Sequence, residues 1–180
     1  MTEDRRTHEP FVKAQFALWL LQQGASRVVV SIDGAEPDPH TARDVLLTEG
    51  FVREPIKSSA VDWTGTYSHD DCEVMIWAKP GIDISATMPD GVWIAECKGE
   101  PTKSGIASGA DLTALYTCLG QLMRRGGEDG LNPKRLFIAV PKGDRLAATY
   151  CELAANCLVR RVGIEIALVD EDGRVDVICP

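Results

Sequence analysis

Two acidic side chains and one lysine stand on neighbouring extended segments of the chain, and the two carboxylates could together hold a cation. The segments 81–87 and 92–98 are rich in β-branched and aromatic residues, which predicts two strands of a hairpin. Side chains two residues apart on a strand share one face. Glu96 and Lys98 therefore project together, whereas Cys97 points to the opposite side.

The turn of this hairpin predicts which residues face each other. If the two residues between Met88 and Gly91 form a two-residue loop, Met88 pairs with Gly91 and every paired set of numbers sums to 179. Asp83 then lies opposite Glu96 on the same face, about 5 Å away. Two carboxylates this close repel each other unless a cation lies between them, and Lys98 or a divalent metal would supply it. A bulge at Gly91 would shift this register by one residue.

The elements around the hairpin follow from periodicity and from turn residues. We expect a mixed α/β chain in which helices flank a mixed β-sheet. Residues 51–72 carry no clear pattern. The predicted helices are 9–23, 39–49, 111–125 and 144–161, and the predicted strands are 28–32, 73–78, 81–87, 92–98, 135–140, 164–169 and 174–178.

Asp83, followed after twelve residues by Glu96-Cys97-Lys98, resembles the site of the PD-(D/E)XK, or restriction-endonuclease-like, nuclease superfamily. The resemblance implies that Asp83, Glu96 and the carbonyl of Cys97 bind Mg²⁺ or Mn²⁺. It also implies that Lys98 assists the attacking water or neutralises charge on phosphorus. The proline of the family name is not present in its literal place, because Ile82 precedes Asp83.

Further segments are similar to members of this superfamily. Members often carry a glutamine on the helix that follows the lysine-bearing strand, and Gln121 occupies that place and joins the implied catalytic set. The resemblance covers residues 73–178. Residues 1–70 form an N-terminal helical part that matches only in its order of elements, which is helix, strand, helix. It implies one nuclease-like domain over 1–180 with a restriction-endonuclease-like core.

The implied activity is metal-dependent hydrolysis of phosphodiester bonds in DNA, with RNA as an alternative substrate. A second hypothesis is a non-catalytic domain of the same fold that binds nucleic acid or protein within a larger assembly. The intact aspartate, glutamate and lysine favour the enzyme. The acidic composition and the short chain favour the binding domain, or a homodimer or partner protein that supplies targeting.

Each candidate residue also has a simpler interpretation. Asp83, Glu96 and Lys98 could form a surface salt-bridge cluster, and Gln121 could be a solvated helix residue. Glu9 or Glu49 could add a third carboxylate to the site, but an acid near a helix end is the more ordinary interpretation. The Cys97 thiol faces away from Glu96 and Lys98, which disfavours it as a nucleophile.

The distribution of charge matters more here than its total. The chain has a net charge of −8, yet residues 101–162 carry nine basic and five acidic side chains. We expect Lys103, Arg124 and Arg125 to lie along bound nucleic acid. We expect the acidic turn at 170–172 to point away from it.

Composition sets the cellular context that we expect. The chain has 180 residues, of which 44% are hydrophobic, and no apolar run approaches the roughly 20 residues that span a bilayer. It begins without a basic and then apolar secretory pattern, so we expect a cytoplasmic protein without membrane contact. The six cysteines are scattered and no C-x-x-C pair occurs, which predicts free thiols.

Overall fold

The computed structural model describes residues 8–56, 59, 61–79, 81–99, 109–126, 132–143 and 152–178. It shows a mixed α/β fold in which helices flank a nine-stranded mixed sheet. The helices are α1 (Glu9–Gln22), α2 (His40–Thr48), α3 (Gly109–Gly126) and α4 (Cys157–Val162). The strands are β1 (Arg27–Ser31), β2 (Val52–Glu54), β3 (Gly65–His69), β4 (Cys72–Trp77), β5 (Ile84–Met88), β6 (Gly91–Cys97), β7 (Arg135–Pro141), β8 (Ile164–Val169) and β9 (Val175–Ile178).

The strands lie in the order β2-β3-β4-β1-β5-β6-β7-β8-β9. Three neighbouring pairs are parallel, namely β1 with β4, β6 with β7, and β7 with β8, and the other pairs are antiparallel. It follows that β1, β4, β6, β7 and β8 all run in one direction. Their carboxyl ends, and the start of β5, meet at one edge of the sheet, which we call the site edge.

Helix α1 covers one face of the sheet because an apolar stripe faces the strands. Phe16 and Leu20 are buried there, and the Phe16 ring packs against Trp19 and Phe137 with centroids 5.2 and 5.4 Å apart. The helix ends where Gly24 takes a φ of +97°, a backbone conformation that L side chains rarely adopt.

Two apolar cores lie on opposite faces of the sheet. One core packs α1 and α2 against side chains such as Val28, Ile84 and Ala95. The other packs α3 and α4 against side chains such as Ile94 and Ile138. The alternation along β6 therefore sends neighbouring residues to different helices.

The predicted elements are found, with differences at particular places. Within residues 51–72, Val52–Glu54 form β2 and Gly65–His69 form β3, so the first 70 residues contribute three strands to the sheet besides α1 and α2 and are not only a helical part. Strand β5 begins at Ile84 and not at Gly81, because Asp83 already lies at the site edge. In the predicted helix 144–161, residues 144–151 lie outside the described part, residues 152–155 are helical, and Asn156 interrupts the helix before α4.

Two further observations concern the described residues. Their helices include none that is long and apolar enough to cross a membrane. Cys72, Cys97, Cys118 and Cys157 are free thiols, as predicted, whereas Cys151 and Cys179 lie outside the described residues.

Candidate active site

The predicted register of the hairpin is confirmed. Ile84 pairs with Ala95 and Met88 pairs with Gly91, so paired numbers sum to 179 and no bulge shifts them. Gly91, the first residue of β6 after the turn, has a φ of +137°, a backbone conformation that L side chains rarely adopt. Asp83 precedes the first paired residue of β5 and therefore lies at the level of Glu96.

Asp83 is held by three contacts that differ in kind. Its Oδ2 accepts a hydrogen bond of 2.8 Å from the backbone N–H of Cys97. Its own carbonyl accepts one of 2.8 Å from the N–H of Ser31, which fixes the backbone against β1. Its Oδ1 lies 3.0 Å from the Nζ of Lys13. The carboxylate therefore has a defined orientation at the sheet edge.

Glu96 is the most confined acid of the site. The residue is 2% exposed, and its Oε1 is buried without a hydrogen-bond partner among the described residues. Burial, and then the charge of Asp83 beside it, raise the pKa of the Glu96 carboxyl to about 8. A buried oxygen that lacks a donor is an acceptor that a cation could satisfy.

Lys98 follows the last residue of β6 and turns toward α1. Its backbone N–H donates to the carbonyl of Ala139 at 3.0 Å, and its Nζ lies 3.3 Å from Oε2 of Glu9. Burial lowers the pKa of Lys98, but the charges of Glu9 and Asp83 outweigh burial and the net pKa is raised. Lys98 is therefore an ammonium beside the carboxylates.

Glu9 belongs to this cluster, which corrects the expectation that it is an ordinary acid of the first helical turn. One of its oxygens contacts Lys98 and the other lies 3.0 Å from Nζ of Lys13, one turn further along α1. Glu49, the other candidate for a third carboxylate, lies exposed after the end of α2, beside a cleft lined by Phe51 and His69.

The sequence analysis did not identify Lys13 and Glu36. The Lys13 side chain is 1% exposed, and its Nζ lies 3.0 Å from Glu9 Oε1, 2.8 Å from Glu36 Oε1 and 3.0 Å from Asp83 Oδ1. It also donates to the carbonyl of Ser31 at 3.0 Å. Burial lowers the pKa of Lys13, but the three carboxylates outweigh burial and the net pKa is raised.

One signal for Lys13 was present in the sequence. Lys13 precedes Phe16 and Leu20 by three and seven residues, which places it in the apolar stripe of α1. A lysine in such a stripe needs buried partners, because a lone buried charge is costly. Glu36 lies in the turn after β1 and carried no comparable signal.

Cys97 is a structural residue by its side chain and a candidate ligand by its backbone. Its side chain is fully buried in the α1 core, and burial raises the pKa of the thiol well above its usual range, which argues against a nucleophile. Its N–H points to Asp83, and the N–H and C=O of one strand residue point to the same side. The Cys97 carbonyl is therefore directed toward the side of Asp83.

Helix α3 packs beside the site and carries the predicted Gln121. The Cys118 thiol, one turn earlier, is buried, and burial raises its pKa to about 12 although the charge of Lys98 opposes this shift. Gln121 is half-buried, and its Oε1 has no hydrogen-bond partner among the described residues.

The other predicted positions lie further from the acidic pair. Lys103 falls outside the described residues. Arg124 and Arg125 lie in the last turn of α3, about 9 Å or more beyond Cys118 along the axis at about 1.5 Å per residue. This is the end that leads toward the start of β7, away from the site edge. Their contact with nucleic acid stays a prediction.

The acidic turn after β8 was expected to point away from bound nucleic acid, and this stays a prediction. Because β6, β7 and β8 are parallel, the turn at 170–173 lies at the site edge, two strands to the side of Glu96 and four or more residues beyond Ile166, the residue of β8 level with Glu96. Asp170 holds the turn by accepting from the N–H groups of Asp172 and Arg174 at 3.0 and 2.8 Å. The turn therefore adds negative charge to the edge that carries the site.

The fit of these residues to a divalent cation can be judged from their own atoms. In the described part of the chain, no set of three or more His, Cys, Asp and Glu side chains is arranged to hold a metal ion. The predicted ligands are two carboxylates and one carbonyl, and Mg²⁺ commonly binds to one or two carboxylates with water and substrate oxygens. The unpartnered Oε1 of Glu96 and the direction of the Cys97 carbonyl fit such a cation.

Comparisons of the chain with protein-family models, with curated proteins and with solved structures found no match.

Proposed function

We propose that this protein is a metal-dependent phosphodiesterase that cleaves nucleic acid, with DNA as the first substrate to test. The observation that supports the proposal most is the pairing of Asp83 with Glu96 at one level of the hairpin, with Lys98 next to them. We propose further that α1, β1, β5, β6, α3 and β7 form a restriction-endonuclease-like core around this pair.

The residues have distinct roles in this proposal. Asp83, Glu96 and the carbonyl of Cys97 would hold Mg²⁺ or Mn²⁺. The bound ion would polarise the phosphate and lower the pKa of a water molecule. The Cys97 N–H keeps Asp83 in one orientation, so little reorganisation is needed when substrate arrives.

Lys98 would act on the phosphate itself. In hydrolysis the water oxygen forms a bond to phosphorus, the bond to the leaving oxygen breaks, and negative charge grows on the phosphoryl oxygens. An ammonium at the end of β6 stabilises that charge more in the transition state than in the ground state. Glu9 holds the Lys98 side chain toward the site before substrate binds.

A non-catalytic binding domain is the alternative, and the acidic site edge favours it. The carboxylates of Glu9, Glu36, Asp83 and Glu96 outnumber the two ammonium groups beside them, and the acidic turn at 170–173 lies at the same edge. This negative charge opposes the approach of a polyanion unless cations compensate. This alternative predicts nucleic-acid or protein binding that does not depend on a divalent ion.

The test is cleavage of plasmid and single-stranded DNA and of RNA, with Mg²⁺, with Mn²⁺ and with chelator. We expect cleavage with either ion and none with chelator. Lys98→Ala should lose about 100-fold or more in rate, the scale for removal of one group that stabilises transition-state charge. Lys79→Ala, an exposed lysine after β4 at the same sheet edge, should retain the wild-type rate.

Calorimetry with Mn²⁺ tests metal binding by Asp83 and Glu96 separately from cleavage of nucleic acid. The double variant Asp83→Asn with Glu96→Gln should lose the ion that the wild-type protein binds, whereas Lys98→Ala should keep it. If wild type and Lys98→Ala cleave equally, or if no nucleic acid is cleaved, the binding domain becomes the better description.

A further inference from the structure

Lys13 occupies a cage of oxygen atoms that has the composition of a cation site. Its Nζ is surrounded by three carboxylate oxygens and one backbone carbonyl at 2.8 to 3.0 Å. An ammonium has three protons to donate, so four acceptors exceed what it can satisfy one by one. Hard oxygen ligands of this kind are also those that Mg²⁺ and Ca²⁺ prefer.

Asp83 joins this cage to the proposed metal site. Its Oδ1 contacts Lys13, whereas its Oδ2 faces Cys97 and the side of Glu96. A carboxylate that bridges two cations is the usual arrangement in two-metal sites, where the ions lie about 3.5–4 Å apart. The ammonium of Lys13 lies on the side of Asp83 where a second ion would be expected.

The charges of the cluster balance for one divalent ion. Four carboxylates against two ammonium groups leave two negative charges when all are ionised. The six residues are Glu9, Glu36, Asp83, Glu96, Lys13 and Lys98. One divalent cation beside Asp83 and Glu96 neutralises this sum, whereas a second would leave two positive charges in a mostly buried cluster.

Glu36 supports the same interpretation. Its Oε1 accepts from Lys13 and, at 2.6 Å, from the backbone N–H of Asp33, while its Oε2 is buried without a partner among the described residues. Glu36 therefore has one carboxylate oxygen that accepts from Lys13 and a second, buried oxygen that does not.

We propose that Lys13 is a built-in cation that takes the place of a second divalent ion, so that this centre binds one metal ion per chain. The proposal rests on the proposed function for the role of the first ion. Lys13 is a positioning residue, because it acts through its contacts with Asp83 and Glu9 and is not proposed to touch the reacting atoms itself.

The test counts Mn²⁺ ions per chain, by electron paramagnetic resonance of free Mn²⁺ and by calorimetry, in the absence of nucleic acid. Wild type should bind one ion. Lys13→Ala opens the cage and should bind one ion more than wild type. Glu36→Gln in the Lys13→Ala background removes one ligand charge and should weaken the added ion about tenfold. Lys79→Ala should bind as many ions as wild type.

The outcomes separate this inference from the proposed function. If wild type binds no ion and Lys13→Ala binds one, the cage is a cation site and the proposed metal site fails. If both bind one ion, the proposed site stands and the inference is overturned. If neither binds, both fail.

Loss of Lys13 leaves three carboxylates without their counter-ion, so we expect Lys13→Ala to be less stable in chelator, and at worst unfolded. The same titration then has circular dichroism as its readout. Recovery of the folded signal with Mn²⁺ or Ca²⁺, and weaker recovery with Glu36→Gln added, supports the inference. No recovery with either ion overturns it.

Discussion

At the scale of single residues, ionisation of the buried Glu96 carboxyl lowers the free energy of unfolding, and a bound cation would offset this loss. Its carboxyl group is enclosed by the sheet and α3, next to Asp83, and its pKa is raised to about 8 from a usual value near 4.5. The folded protein therefore binds this proton more tightly than the unfolded chain does. Stability from this group is fully present below about pH 4.5 and is lost as pH rises toward 8.

Glu96→Gln should remove this loss, because the amide stays neutral at every pH. In chelator we expect the variant to exceed wild type in free energy of unfolding at pH 8 by on the order of a few kcal/mol. The difference should shrink as pH falls toward 5. Urea unfolding at a series of pH values measures it.

Glu49→Gln is the matched control, since it makes the same change at an exposed position after α2. It should follow the wild-type stability profile over this range. A constant difference between Glu96→Gln and wild type from pH 5 to 8 would contradict the raised pKa.

At the scale of elements, α1 connects the core to the site. Its first two turns carry Glu9 and Lys13, and its next turns bury Phe16 and Leu20 against the sheet. The apolar contacts of Phe16 with Trp19 and Phe137 thus fix the height at which the charged residues meet Asp83. Packing of this helix is therefore a condition for the cluster.

Phe16→Ala should lower the free energy of unfolding by about 3–5 kcal/mol, because it leaves a cavity among buried aromatic rings. Gln22→Ala, on the exposed side of the same helix, should change it by less than about 0.5 kcal/mol. Chemical denaturation of both variants provides the measurement. A loss below about 1 kcal/mol for Phe16→Ala would mean that α1 is not anchored through this ring.

At the scale of the whole molecule, the parallel strands collect charge at one edge. The residue of β8 level with Glu96 is Ile166, so Asp170 lies four residues further along and two strands to the side, about 16 Å in all at about 3.3 Å per residue and 4.8 Å per strand. This distance exceeds the Debye length of about 10 Å at 0.1 M salt but lies within the length of about 30 Å at 0.01 M. The acids of the turn therefore repel a polyanion that approaches Asp83 and Glu96 mainly at low salt.

Asp172→Lys should raise affinity for a short DNA duplex, and the gain should be larger at low salt. Asp71→Lys makes the same charge change in the β3–β4 turn, whose His69 and Cys72 line one cleft with Asp172 but which lies before the start of β4 and so further from Glu96. It should have a smaller effect. Asp170 is a poor choice because it holds its turn. Fluorescence anisotropy over a salt series measures both variants, and equal gains would show that only net charge matters.

Much of the site was readable in the local pattern of the chain. A two-residue turn set Asp83 opposite Glu96, because hairpin geometry depends on few neighbouring residues. Strand alternation did not fix the direction of Lys98, which lies beyond the end of β6 and turns toward Glu9 on α1. The same local rules located α1, α2, β1 and β8 to within one or two residues. These local rules did not predict the strands in residues 51–72, since β2 is a short strand that is stabilised by its pairing with β3.

The partners of Lys13 required the folded chain. Glu9 is one helical turn away, but Glu36 and Asp83 are 23 and 70 residues distant, and no periodicity relates positions so far apart. Sheet order brings them together, because β1 lies between β4 and β5 and its carboxyl end meets the start of β5. The same order carries the acidic turn to the site edge, since strand direction is a property of pairing between distant segments and not of any one segment.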